Sequence, residues 1–227
     1  MKAWNHFCTI TEHKIMVMRH CFKIGLYRQG LLHDMSKYTP TEFIPGCKYY
    51  QGYRSPNNAE REDKGYSAAW LHHKGRNKHH YEYWIDYSVG PVKGMTGMKM
   101  PNRYVAEMMM DRMAASKIYN KGHYDQHESL KYYEKGKDSY MIHDETRALL
   151  EHLLHLLDEQ GEEALFAYMR ANIVGKKEYP KIPPRPWQLV GDGHYVSDVE
   201  LLQLQKEQEK ASGKQKRKWG TGAEYYK

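Results

Sequence analysis

Residues 100–119 read MPNRYVAEMMMDRMAASKIY. Pro101 can open a helix but not continue one, and neither glycine nor proline follows it before Tyr119. Tyr104, Met108, Asp111, Ala115 and Ile118 recur at spacings of four, three, four and three, which is the repeat of one helix face. That face sets Asp111 among methionines, alanines and aromatics. An ionised carboxylate in such a place is costly unless something neutralises it. Arg112 is next in sequence but points about 100° away around the helix, so it pairs poorly. A metal ion is the economical partner.

Outward from this helix the same period persists. Helical signals run from Thr9 to about Asn172. Thr39-Pro40-Thr41-Glu42 reads as an N-cap, a proline at the first helical position and a glutamate at the third. Asp144 stands at the cap position before residues 145–160, where Leu149, Leu150, Leu153, Leu154, Leu156 and Leu157 make a wide apolar face. Residues 86–99 hold four glycines or prolines and read as a loop. Pro180, Pro183, Pro184 and Pro186 end the helical pattern. Beyond them Ser197-Asp198-Val199-Glu200 has the form of a capping box, opening a helix to about Lys210. The expectation is an all-α helical bundle over residues 1–172. Residues 173–227 form an irregular extension of Pro-rich linker, short helix and basic tail.

The chain of 227 residues suits one domain with an appendage. Twenty of its hydrophobic residues are tyrosines, and the apolar content lies below the globular norm of roughly 45–50%. No apolar run reaches the roughly 18 residues of a membrane span, and residues 1–10 lack the apolar core of a signal peptide. Cys8, Cys21 and Cys47 are odd in number and form no C-x-x-C pair, which argues against a disulfide framework or a cysteine zinc site. A cytoplasmic protein without a membrane partner is expected. The net charge is +7, and residues 205–227 carry seven basic against three acidic residues, so the body is near neutral. That disfavours a basic nucleic-acid-binding body, although the tail could touch an anionic polymer.

Fourteen histidines are unevenly placed. In a helix over 11–25, His13, Met16, Val17, His20 and Ile24 form the apolar stripe. His13 and His20 fall within about 20° of each other and about 10.5 Å apart along the axis. Either alone is more simply a hydrogen-bonded core histidine than a ligand. Residues 31–37 read LLHDMSK: an apolar pair brings adjacent His33 and Asp34 to a helix end, and imidazole with carboxylate suits a divalent ion. A lone His-Asp pair is weak, since His143-Asp144 is another. Residues 70–81, WLHHKGRNKHHY, read as a helix end, a tight turn at Gly75 and a new helix. His72, His73, His79 and His80 would repel one another if protonated, and a cation would relieve that.

A histidine, then His-Asp, then further histidines, then an aspartate on a later helix resembles the HD-domain superfamily of metal-dependent phosphohydrolases. The likeness covers about residues 11–119 and includes Leu31-Leu32-His33-Asp34-x-x-Lys37. "HDMSKYTPTEF" and "WLHHKGRNKHHYEYW" look like an uncharacterised bacterial and phage branch of it. The resemblance implies His13, His33, Asp34 and Asp111 as ligands of a first metal, with His20 as the alternative first histidine. It implies His72, His73, His79 and His80 as candidates for a second metal, although binuclear members spread such histidines over two well-separated helices. One or two divalent ions (Mn, Fe, Zn, Co, Ni or Mg) would activate water against a phosphate ester, a nucleotide or a nucleotide-like small molecule. Lys37 and Arg76 would stabilise phosphate charge, and Glu42 or His79 could exchange protons. No P-loop, dinucleotide fingerprint or serine or cysteine nucleophile motif competes. The rival expectations are a binding protein, with Tyr49, Tyr50, Tyr53, Tyr66, Tyr81, Tyr83 and Tyr87 stacking bases, and a structural metal protein with a closed shell.

Overall fold

The computed structural model describes residues 1–90, 93–120, 122–182, 188–190 and 194–196. Residues 1–180 form one compact unit, an all-α bundle of eight helices among the described residues. These are α1 (Lys2–Lys23), α2 (Tyr27–Leu32), α3 (Pro40–Tyr49), α4 (Pro56–Lys64), α5 (Ala68–Lys74), α6 (Asn102–Tyr119), α7 (Glu128–Glu134) and α8 (Asp144–Asn172). Single 3-10 turns lie at Met35–Tyr38, Tyr81–Trp84 and Lys137–Ser139. No helix among the described residues is long and apolar enough to cross a membrane.

The centre is α6, which begins and ends where its sequence pattern predicts. Val105, Ala106, Met109, Met110, Met113 and Ala114 are wholly buried, so this helix is covered on nearly every side rather than along one stripe. α1 and α8 pack against it, with Val17 and Cys21 wholly buried on α1 and Leu149, Leu150, Leu153, Leu154 and Leu157 on α8. Fully burying one such leucine or valine contributes about 1.5–3 kcal/mol.

Several sequence expectations are corrected. The first helix starts at Lys2 rather than near residue 11, because the buried stripe His13, Val17, His20 continues upstream through Ile10 and His6 at the same spacing. The loop expected over 86–99 contains an antiparallel hairpin, β1 (Ile85–Ser88) with β2 (Gly94–Gly97), in register Ile85 to Gly97 and Ser88 to Gly94. Gly97 is needed there, since a Cβ would come within 2.6 Å of the His143 backbone nitrogen. α8 is capped by His143, whose Nδ1 accepts from the Glu145 amide, and not by Asp144. α8 also runs on to Asn172 across a break at Gly161, where φ is 82°. Thr39 is the N-cap of α3 with Pro40 opening the helix, as expected, but its hydroxyl donates to the Ser36 carbonyl at 2.7 Å instead of capping, and Glu42 turns inward.

Beyond Asn172 the chain stays on the bundle as far as Tyr179, whose hydroxyl meets Thr146 Oγ1 at 2.9 Å, while Asn102 holds the Lys176 and Glu178 carbonyls. A second unit, Lys181–Lys227, contains the paired strands β3 (Gln188–Val190) and β4 (His194–Val196). The helix expected over 197–210 and the basic tail lie outside the described residues.

Candidate metal centre

Four segments converge on one side of α6. α1 supplies His13. α2 ends at Leu32, leaving His33 at its C-cap with ψ 128° and Asp34 in the left-handed region with φ 53°. Asp34 is the one non-glycine residue with positive φ among the described residues, a conformation aspartate tolerates better than most. Leu31 and Leu32 do not anchor this corner, as both are more than half exposed. Its anchor is Gly30, where a Cβ would sit 2.9 Å from the Cys21 Cβ, so α2 can press against α1 only with glycine there. Lys14 Nζ then donates to the carbonyls of Leu31 and His33 at 2.7 and 2.9 Å. α5 supplies His73, the turn after it returns the chain with His79 and His80, and α6 contributes Asp111 and Glu107.

The donor atoms fall into two sets that meet at Asp34. In the first set, His13 Nε2 is 2.9 Å from Asp111 Oδ1 and 3.8 Å from Asp34 Oδ2. His33 Nε2 lies 3.3 Å from Asp34 Oδ2 and 3.6 Å from Asp111 Oδ1. In the second set, His73 Nε2 and His79 Nε2 lie 3.3 and 3.4 Å from Asp34 Oδ1, and His80 Nε2 lies 2.9 Å from His73 Nε2. Each four-residue set brings one donor atom per residue within 4.8 Å of all the others. His13 Nε2, His33 Nε2, His79 Nε2 and both Asp34 oxygens are buried with no hydrogen-bond partner. Orphaned polar atoms of this kind are rare and expensive, and five of them converging as nitrogen and carboxylate donors fit divalent cations.

A second layer holds the rings. One oxygen of Glu107, Oε1, meets His33 Nδ1 at 3.0 Å and His79 Nδ1 at 3.1 Å. The two oxygens of Glu42 accept from His72 Nδ1 at 2.6 Å and His73 Nδ1 at 2.7 Å. Asn77 donates to the His73 carbonyl and to Ser36 Oγ, both at 2.8 Å, tying the turn to the Asp34 corner. Fixing the far nitrogen of an imidazole selects the tautomer that leaves Nε2 free to ligate.

Residues 2–156 match the family of unknown function DUF5662. The chain belongs to that family. No curated protein and no solved structure matches it. All the donor residues and their supports lie inside the matched stretch of this DUF5662 member.

Electrostatics favour the ligating forms of Asp34, Asp111, His13 and His80, and favour the proton on His33, which a metal would have to displace. Burial works against the charge of Asp34, but His33, Lys37 and His73 outweigh it and hold the carboxyl well below its usual range. For Asp111 burial is likewise outweighed, by His13 and His33. Burial, then Lys37, drives His13 down, and burial, then His79 and His73, drives His80 well down. His33 goes the other way, because Asp34, Asp111 and Glu107 overcome its burial. Four carboxylates (Asp34, Asp111, Glu107, Glu42) face two lysines, Lys37 and Lys14, so the cluster favours cations. Lys37 Nζ approaches Asp34 Oδ2 to 2.6 Å as an ion pair outside hydrogen-bond alignment. Lys37 and Asp111 keep 28% and 16% of their side chains exposed, which marks the open side of the cluster.

Other sequence candidates fall elsewhere. His20 is buried beside Phe166 and Lys117 Nζ, away from both sets. His72 pairs with Glu42 and contributes to neither set, and Arg76 is exposed on the turn. Glu42 has both oxygens engaged behind histidines, and His79 has its two nitrogens committed to Glu107 and the donor set, so neither is placed to relay protons. Of the tyrosines considered for stacking, Tyr53, Tyr66 and Tyr87 are the most exposed, while the hydroxyls of Tyr49 and Tyr50 are tied to Asp63 and Thr9. A surface groove of about 460 Å³ between Phe7 and Arg19 shares no residue with the cluster. Sequence reasoning missed Glu107, whose signal was its place one turn before Asp111 on the same helix face.

Proposed function

We propose that this protein is a metal-dependent phosphohydrolase of the HD-domain type, acting on a phosphate ester such as a nucleotide or a nucleotide-like small molecule. The observation that carries the reading is Asp34: a buried carboxylate whose Oδ2 belongs to one set of imidazoles and whose Oδ1 belongs to another. His13, His33, Asp34 and Asp111 would hold one divalent ion, and Asp34, His73, His79 and His80 a second. When bound, such ions supply Lewis-acid polarisation of a phosphoryl oxygen and activation of water. The order of these residues along the chain, which resembles the HD superfamily, supports the reaction class.

The chain's own groups do the rest. Lys37, on the open side, offers its ammonium to the charge that grows on phosphoryl oxygens. Asp34 and Asp111 stay ionised and bind cations without first losing a proton. Glu107 and Glu42 keep the ligand rings oriented while substrate enters and product leaves.

The test is metal content followed by turnover. The purified chain is expected to hold close to two equivalents of Mn, Fe, Zn, Co or Ni, and to release phosphate or an alcohol from at least one member of a phosphoester panel. Asp111→Ala should lose both metal and turnover. A wild-type chain that neither carries nor takes up metal, or an Asp111→Ala variant with full turnover, overturns the reading.

A further inference from the structure

Glu107 lies one helical turn before Asp111 and is 5% exposed. Its Oε1 alone receives the Nδ1 of His33 and the Nδ1 of His79. The two rings lean on each other with centroids 4.4 Å apart and planes 35° apart. His33 belongs to the first donor set and His79 to the second. These three residues also lie close enough to hold an ion themselves. The geometry argues otherwise: both Nδ1 atoms are at hydrogen-bond distance from one carboxylate oxygen, while both orphaned Nε2 atoms lie on the far sides of their rings.

We propose that Glu107 is a single positioning residue for both donor sets and ties the occupancy of one to the other. Ligation through His33 Nε2 requires the proton on Nδ1, and that proton needs Glu107 in place as its acceptor. Once Glu107 is held by His33, the acceptor that selects the ligating tautomer of His79 is already ordered. The cost of ordering is met once for two sites, which is a coupling between them. Glu42 is the internal contrast, because among the donor histidines it supports only His73, in the second set. The proposal rests on the two-ion reading above.

The experiment uses the full chain titrated with Co²⁺, read by bound metal per chain and by the visible Co²⁺ spectrum. Glu107→Gln keeps the size of the side chain and removes its charge. It is expected to weaken both equivalents by about 10- to 100-fold, the usual effect of losing such a support. It should also widen the gap between the two loading midpoints by about fivefold or more, the lower range of site coupling. Asp34 is unchanged in this comparison, so repulsion between ions that share it cancels. Glu42→Gln should weaken one equivalent only. Loss confined to one equivalent in Glu107→Gln, or an unchanged gap, overturns the proposal while leaving the two-ion reading intact. A wild-type chain that binds no Co²⁺ overturns the reading itself, and the proposal with it. Should Glu107→Gln fail to fold, nitrogen-15 NMR of the Zn²⁺-loaded wild type decides. Slowly exchanging Nδ1 protons on both His33 and His79 support the proposal, and an unprotonated Nδ1 on either overturns it.

Discussion

His33 Nε2 and Asp34 Oδ2 lie 3.3 Å apart although they belong to consecutive residues. Neighbours on a regular helix or strand point away from each other, so two adjacent side chains can face one point only across a corner. The left-handed φ of 53° at Asp34 makes that corner. Asparagine accepts the same backbone conformation, so Asp34→Asn removes the charge without unmaking the turn. Asp34→Asn is therefore expected to fold, melt within a few degrees of wild type and hold neither ion. Metal analysis alongside a thermal melt checks this, and two retained equivalents would refute the shared-carboxylate account.

The two donor sets predict separable losses. His13→Ala should remove the first equivalent and spare most of the second, since the donor residues His13 meets are Asp34, Asp111 and the His33 ring, all of the first set. His80→Ala should do the reverse. His20→Gln and His72→Ala should keep both, because the first residue lies by Phe166 and the second only meets Glu42. Equilibrium dialysis of the four variants against one metal gives the pattern, and loss of metal in His20→Gln would restore His20 as a ligand.

How much of this was legible in the sequence follows from what periodicity can carry. The bounds of α6 were readable because an uninterrupted helical run needs only Pro101 at one end and a stop near Asn120. His13, His33, Asp34 and Asp111 could be singled out because each is polar where the 3.6-residue period calls for apolar residues. His13 is preferred to His20 by its place 20 residues before His33 rather than 13, and the neighbours agree, since Asp111 lies opposite His13 and Lys117 opposite His20. Glu107 escaped because α6 is buried nearly all round, so no single stripe separates inward from outward positions. The crowded histidines of 72–80 resolve only when Asn77 folds the turn back, a tertiary event without a period. The hairpin of 85–97 was lost among its glycines, of which Gly97 is there to admit the His143 backbone.

Gly46 marks a close approach far from any turn. A Cβ there would stand 2.2 Å from His6 Nε2, with the His6 ring already packed by Phe43 and Tyr50. Gly46→Ala is expected to cost about 1–3 kcal/mol, the usual range for overpacking. His6→Ala opens the space, so the double variant should lose less than the sum of the two, with a coupling of about 1 kcal/mol or more. Urea unfolding of the four proteins tests this, and simple additivity would show that the ring escapes by moving.

Acid should destabilise the protein partly through His20. Burial, with Lys117 next, lowers its pKa from 6.5 to about 4 in the folded chain. Above pH 6.5 the residue is neutral in both folded and unfolded chains and adds no pH dependence. Between pH 6.5 and 4 the unfolded chain takes up the proton first, so stability falls as pH falls across that window and levels off below it. At about 1.4 kcal/mol per unit, the full loss approaches roughly 3 kcal/mol. His20→Gln cannot titrate, so the stability of wild type relative to the variant should drop by up to that amount between pH 7.5 and pH 4. Unfolding curves for both proteins at pH 7.5, 5.5 and 4.5 measure it. A difference that stays constant over this range would mean that His20 gains its proton as readily inside the fold as outside.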